Sequence, residues 1–502
     1  MALHRKAESV RGKDEIDVNP VYVQLARQEV PRYRMPPSGM LPDTALQVVR
    51  DELILDGSSR LNLATFVTTW MEPQAAQLMA ECFDKNMIDK DEYPQTSELE
   101  RRCVSILADL WHAPAGGGAP GCSTTGSSEA CMLGGMALLW RWRARHAATA
   151  QGQSQGGAQD QTQGGAQDQT QGGARDQTRG TAQGKAQGDK PNLVMGTNVQ
   201  VCWEKFCRYW QVEPRMVPME RDRLHLRGPQ AAAACDENTI GVVGIMGSTM
   251  DGSYEPVAEI SEALDRLQAE RDLDIPIHVD GASGGFVAPF LHPELPWDFR
   301  VPRVQSINAS GHKYGLVYPG VGWIVWREAA ALPDDLVFRV NYLGGNMLTF
   351  ALNFSRPGGH VAAQYYNFLR LGFEGYQRIG RTCQDVALRM SAEIAAMGPF
   401  ELLTDGSDLP VFAFKLADDS AGYSVFDLSE RLRLRGWLVP AYTFPANLQD
   451  VAVLRIVVRN GFSHDLAGLL LDDLRRHSTA LRRHPHPNLP LVPRSTRQTF
   501  AH

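Results

Sequence analysis

The chain has 502 residues, 43% hydrophobic and 21% charged, with a formal net charge of -7. That length accommodates two or three domains, and the balance is that of a globular protein rather than a disordered one. The acidic net charge argues against a basic groove for nucleic acid, and no run approaches the ~20 apolar residues of a membrane span.

The opening residues, MALHRKAESVRGKDE, lack the apolar stretch of a secretory signal, and Glu8, Asp14 and Glu15 count against an organellar transit peptide. A cytoplasmic protein is expected. The eight cysteines are scattered, with no CxxC and no paired histidine spacing, so they read as buried reduced thiols and no metal site is expected.

From Cys122 to Trp326 short apolar runs bounded by Gly, Pro and Asn alternate with amphipathic stretches. The runs are NLVMG (192–196), TIGVVGIM (239–246), IPIHVD (275–280), VQSINAS (304–310) and VGWIVW (321–326). This alternation predicts an α/β fold, a mostly parallel sheet with helices on both faces. Between about 147 and 190 the composition collapses into Gln, Gly, Ala, Asp and Thr, with the octet QGGAQDQT at 155–162 and 163–170 and QGGARDQT at 171–178. Such a stretch has few apolar side chains to offset ordering entropy and is expected to be a disordered loop joining a helix to a strand. From about 355 a long helical region is followed by the strand candidates VFAFKL (411–416) and VLRIVVR (453–459) around a helix at 425–435, a smaller α+β domain. The tail after Ser478 holds four prolines and is expected to run extended. The expected division is 1–60, an N-terminal segment making dimer contacts; 61–354, the large domain; 355–478, the small domain; and 479–502, the tail.

Ligands of such sheets bind beyond the carboxyl ends of the strands. Two strand ends stand out, HVDGASGG with Asp280 and INASGHKYG with Lys313. An amine that can hold an aldehyde as a Schiff base and a carboxylate that can keep a pyridine nitrogen protonated are what pyridoxal phosphate requires. Taken alone, the two residues could equally form a structural ion pair. A Gly-Ser-Ser turn opening into a helix at 127–128 is a ready anion site, and Ser310 and His312 beside the lysine are further candidates for the phosphate.

With those motifs in place, the chain resembles the glutamate decarboxylases of plant and bacterial type, pyridoxal-phosphate enzymes of the aspartate-aminotransferase fold. The resemblance runs from about Tyr33 to about Leu474 and rests on LNLATFVTTWMEP, NMIDKDEYPQT, GSSEACMLGGMA, NVQVCWEKFCRYW, HVDGASGGFVAPF, SINASGHKYGLVYPGVGW, NYLGG and AQYYNFLRLGFEGY. It implies α-decarboxylation of L-glutamate to γ-aminobutyrate. Lys313 would carry the cofactor, Asp280 would meet its ring nitrogen, and Ala282 and Gln200 would cover its faces. Ser127, Ser128, Ser310 and His312 would hold the phosphate, Thr249 would touch the ring edge, and Ser355 would reach the phosphate of a neighbouring subunit. Arg455 would anchor the α-carboxylate, while Thr65 and Phe66, with Asn86 and Asp89 of the other subunit, would receive the distal one. Tyr342, beside Leu343 in a glycine-bearing flap, would donate the proton to the α-carbon.

The resemblance further implies a homodimer with shared sites, or a hexamer built from such dimers. Two carboxylates in contact at Asp89 cannot both ionise cheaply, which predicts an acidic activity optimum. Gly281 stands where relatives usually carry Ala, adding backbone freedom with no expected loss of function. The tail has no Trp after Trp437, so calmodulin control is not expected, and His502 is a candidate for closing the site at higher pH. The alternatives are a related decarboxylase acting on another amino acid and a catalytically silent scaffold of the same fold. Retention of Lys313, Asp280 and the phosphate residues argues against the scaffold.

Overall fold

The computed structural model describes residues 33–156, 190–341, 347–418 and 422–484. They fall into two compact units that divide after Ser59. The first contains helix α1 (Pro42–Leu53), which opens on a proline and carries Asp43 in its first turn, both suited to a helix N-terminus.

The second unit begins with α2 (Pro73–Glu81) and α3 (Pro94–Leu110), each again started by a proline. The chain then lays down β1 (Gly121–Thr124), α4 (Ser127–Gly156), β2 (Asn192–Gly196), α5 (Val201–Tyr209), β3 (Glu213–Val217), α6 (Gly228–Ala233), β4 (Thr239–Ile245), α7 (Val257–Arg271), β5 (Ile277–Asp280), α8 (Ala288–Leu291), β6 (Val304–Ala309) and β7 (Gly322–Trp326). The seven strands form one sheet in the order β1-β7-β6-β5-β4-β2-β3. From β6 to β3 every pairing is parallel, and β7 alone in this sheet runs against its neighbours β6 and β1. All residues of β2 and β4 are buried, as expected for strands covered on both faces. The pleat sorts side chains between two cores. Leu193 and Met195 pack with Trp203 and Phe206, whereas Val194 between them joins Ile277, Val279 and Ile307 on the other face.

A two-stranded hairpin, β8 (Phe338–Val340) and β9 (Met347–Thr349), precedes the long helix α9 (Gly359–Ala396). That helix is interrupted at Gly372, whose φ of 57° lies in the left-handed region that glycine adopts without steric penalty. The smaller sheet follows, composed of β10 (Phe400–Leu402), β11 (Val411–Leu416), β12 (Ala441–Thr443) and β13 (Ala452–Val457) in the antiparallel order β10-β11-β13-β12. Two helices accompany it, α10 (Val425–Arg433), held by a reciprocal cap between Ser424 and Asp427, and α11 (His464–Arg483).

Two expected boundaries move. The low-complexity insertion was expected from about 147, yet α4 continues to Gly156, because its first residues, including Ala147, Ala148, Ala150 and Gln151, favour a helix. The remainder, 157–189, lies outside the described residues. The extended tail was expected after Ser478, yet α11 runs on to Arg483. Leu481, 2% exposed, anchors that last turn, and the first proline comes only at 485.

Candidate active site

Strands β5 and β6 pair in parallel with His278 opposite Ser306 and Asp280 opposite Asn308. Period-two alternation therefore puts these four polar side chains on one face, while Ile277, Val279 and Ile307 go to the apolar core beneath. Asp280 is 5% exposed. Its Oδ2 accepts from the Trp203 indole N–H at 2.9 Å and from the Cys131 thiol at 3.6 Å. Its Oδ1 accepts from Asn308 Nδ2 and from the Ala282 backbone N–H, both at 3.1 Å. Cys131 and Cys202 bring their sulfurs within 4.8 Å of each other and of an Asp280 oxygen. Burial drives the Cys131 thiol well above its ordinary value, which keeps it a hydrogen-bond donor rather than a metal-binding thiolate. All eight cysteines are free, seven of them buried and Cys82 half-buried.

Lys313 leaves the turn after β6. Its Nζ donates to Ser283 Oγ at 3.2 Å and lies 5.3 Å from the centroid of the Phe66 ring. Burial lowers the Lys313 pKa; Asp280 opposes that shift and Arg455 adds to it. A lysine so placed more readily presents the neutral amine that nucleophilic attack on an aldehyde needs. The same Phe66 ring has the Arg455 guanidinium 4.8 Å from its centroid. Arg455 projects from β13 of the smaller sheet, is 8% exposed, and donates to the backbone carbonyls of Thr249 and Ala64. Among the described residues its Nε has no hydrogen-bond partner and no carboxylate pairs with it. Neighbouring Arg459 secures the same N-terminal turn through the carbonyls of Asn62 and Val67 and the Thr69 hydroxyl, while Thr68 bonds the backbone of His312 and Lys313. Thr65 lies on this turn, its hydroxyl accepting from Val67 N at 3.1 Å.

The hydroxyls of Ser127, at the N-terminus of α4, and Ser310, at the end of β6, meet at 2.7 Å. Ser128 beside them is exposed. His312 Nδ1 accepts from the Val321 N–H at 3.3 Å, which leaves the ring proton on Nε2; burial, aided by the Lys313 charge, lowers its pKa to about 4. Ala282 is tied to Ser310 through its carbonyl at 3.1 Å. Gln200 caps α5 by accepting from Cys202 N at 2.7 Å, and that helix delivers Trp203 to Asp280. Gly281 departs from expectation. A Cβ there would stand 2.9 Å from the Asn308 carbonyl, so glycine here permits close approach of β5 to β6 rather than added freedom.

Asn86 and Ser355, both expected to act on a neighbouring subunit, sit together at 3.5 Å, and Met87 N bonds the Arg356 carbonyl in the same strip. Asp89 is half-buried three residues on. Tyr342, Leu343 and His502 lie outside the described residues. Sequence reasoning passed over Trp203, Cys131, Asn308 and His278. A signal was present, since polar residues at alternate positions of two buried strands, H-V-D and S-I-N, mark one polar face.

One partly buried primary amine, a carboxylate on the adjoining strand, paired hydroxyls at a helix N-terminus and an orphaned buried Nε fit the aldehyde, ring nitrogen, phosphate and substrate carboxylate that pyridoxal phosphate chemistry brings.

The family model described as the pyridoxal-dependent decarboxylase conserved domain matches residues 31–173 and 166–417. A glutamate decarboxylase of Aliivibrio fischeri is 52% identical over 458 residues, 91% of each chain. Glutamate decarboxylase 5 of Arabidopsis thaliana is 48% identical over 450 residues, 89% of this chain and 84% of that one. The solved glutamate decarboxylase of Lactobacillus brevis superposes with a TM-score of 0.83 at 43% identity, covering 92% of this chain and 97% of the other.

Proposed function

The chain belongs to the pyridoxal-dependent decarboxylase family, and from that membership we infer that it converts L-glutamate to γ-aminobutyrate and carbon dioxide with pyridoxal phosphate as cofactor. The observation that carries this reading is Arg455, a buried guanidinium with no carboxylate partner among the described residues, sharing the Phe66 ring with the Lys313 amine. A cation held out of water in this way calls for an anion from outside the chain.

When bound, pyridoxal phosphate supplies the electron sink for the pair released as the bond from Cα to its carboxylate breaks. Lys313 would hold its aldehyde, Asp280 its ring nitrogen, and Ser127, Ser128, Ser310 and His312 its phosphate. Gln200 and Ala282 would cover its faces, and Thr249 its edge. Arg455 grips the substrate α-carboxylate and thereby sets which bond at Cα is presented for cleavage. Thr65 and Phe66 face the distal carboxylate, with Asn86 and Asp89 from a second copy of the chain. Ser355 of that copy reaches the phosphate, a division supported by the contact between Asn86 and Ser355. A homodimer is the smallest assembly with this composition, and a hexamer built from three such dimers satisfies it equally. Tyr342 is assigned the proton that replaces the lost carboxylate. A proton taken up where the distal carboxylate meets Asp89 gives an acid-leaning rate profile.

We also place the enzyme in the cytoplasm, a reading supported by its eight unpaired cysteines. No helix among the described residues is long and apolar enough to cross a membrane.

The test is purified protein with added pyridoxal phosphate, followed by visible absorbance and by γ-aminobutyrate formation at pH 5 and pH 7, beside Lys313→Ala. A visible band and turnover that are both lost in the variant are expected, with the higher rate at pH 5. A band without glutamate turnover would move the substrate to another amino acid.

A further inference from the structure

Asp280 takes its side-chain donors from three separate elements, β6 (Asn308), α5 (Trp203) and α4 (Cys131). One fully buried residue touches all three of those elements. His278, two residues before Asp280 on β5, offers its two ring nitrogens to Ser306 Oγ at 2.7 Å and Asn308 Oδ1 at 2.8 Å. Its ring meets the Trp203 indole edge to face, centroids 5.0 Å apart. On α4 it lies against Gly134, one turn beyond Cys131, where an added Cβ would collide with the imidazole.

We propose that His278 is a positioning residue for Asp280, a single ring that sets all three side chains donating to its carboxylate. The proposal rests on the cofactor reading above, in which that carboxylate faces the ring nitrogen of pyridoxal phosphate. The hydrogen-bond directions follow from one constraint. Asn308 must turn its amide nitrogen toward Asp280 Oδ1, so its carbonyl oxygen faces His278 and needs a donor. His278 Nε2 therefore carries the proton, and Nδ1 accepts from the Ser306 hydroxyl. A neutral ring is required, and complete burial provides one by lowering the His278 pKa to about 4. Removing the ring's polarity leaves a buried Asn308 oxygen without a partner, which favours rotation of the amide and turns an acceptor toward an acceptor at Asp280. Removing its bulk frees the indole and the glycine face of α4 to shift toward the gap.

The variants are His278→Phe, which keeps a flat ring but no hydrogen bonds, His278→Gln, which restores a donor to Asn308, and Ser306→Ala, which frees the tautomer. The readouts are the dissociation constant of pyridoxal phosphate from reconstituted apoprotein by visible absorbance, kcat and KM for glutamate, and apoprotein melting. His278→Phe is expected to weaken cofactor binding about 10-fold and lower kcat about 10-fold, with KM within about 2-fold, as for groups that orient a liganding residue. His278→Gln should recover most of the loss, and Ser306→Ala should show a smaller loss of the same kind. Unchanged cofactor affinity and kcat in His278→Phe would overturn the proposal. So would a loss explained entirely by apoprotein melting that His278→Gln does not rescue. If His278→Phe does not fold, Ser306→Ala decides, and wild-type affinity there overturns it. Failure of the wild-type protein itself to bind pyridoxal phosphate would instead refute the cofactor reading.

Discussion

Replacing Trp203 by Phe isolates one hydrogen bond at the centre of the site. The indole is fully buried and donates to Asp280 Oδ2 at 2.9 Å. Phe keeps an aromatic ring against His278 and Phe206, which pack on Trp203 at centroid distances of 5.0 and 6.1 Å, and deletes only the donor and part of the bulk. A hydrogen bond to a charged group contributes about 1.5–3 kcal/mol. At about 1.4 kcal/mol per decade this is roughly a 10- to 150-fold loss of cofactor affinity. The smaller ring also leaves a void costing about 1–2 kcal/mol of global stability. The two effects separate by assay. Absorbance titration of apoprotein with pyridoxal phosphate reads the first, and urea unfolding of apoprotein reads the second. KM for glutamate should stay near the wild-type value, because Arg455 and Phe66 are untouched. Cofactor affinity within 2-fold of wild type, with the expected loss of apoprotein stability, would show that the indole N–H is packing furniture and refute its role in orienting Asp280.

Arg455→Met should retain the visible cofactor band while losing glutamate turnover by at least about 100-fold, since a buried charge-assisted fork contributes several kcal/mol; steady-state kinetics beside an absorbance spectrum check this. Ser127→Ala combined with Ser310→Ala should weaken cofactor binding by about 10-fold or more in the same titration, with little change in apoprotein melting. Apoprotein stability should fall in acid in a way traceable to His278. The buried ring titrates near 4 in the folded chain against about 6.5 unfolded, so its contribution is complete above pH 6.5 and is lost as pH falls from 6.5 to 4, about 3 kcal/mol in all. Urea titrations of wild type and His278→Phe at pH 7 and pH 4.5 measure the difference in slope, and parallel slopes would contradict it.

Strands β2, β4 and β7 were legible because each is a buried, mainly apolar run, and β5 and β6 because apolar residues recur there at alternate positions just before Gly281 and Ser310-Gly311. β1 was not, because GCST carries no apolar run and gains its burial from neighbours. β3 contains Pro214, which a central strand excludes and this edge position tolerates. The short strands β10 and β12 are held in register mainly by longer partners, a tertiary effect that local pattern does not encode. At the site, Asp280 stands out because it ends β5, and Lys313 because it follows β6 in the small-residue turn Ser310-Gly311. Trp203 and Cys131 reach Asp280 across separations of 77 and 149 residues, and only the sheet order brings them there. His278 and Asn308 were readable in principle, from the polar alternation within two otherwise apolar strands.

That alternation divides the two strands by parity. At Ile277, Val279 and Ile307 the demand is for volume, and one aliphatic residue can stand in for another. At His278, Asp280, Ser306 and Asn308 each side chain answers to a named atom on another. A saturation library across 277–280 and 306–308 should therefore yield a two-beat record, tolerant and intolerant positions in turn. The rhythm follows from the geometry of a pleated strand, and it leaves these short segments half their letters for drift while the other half stays fixed.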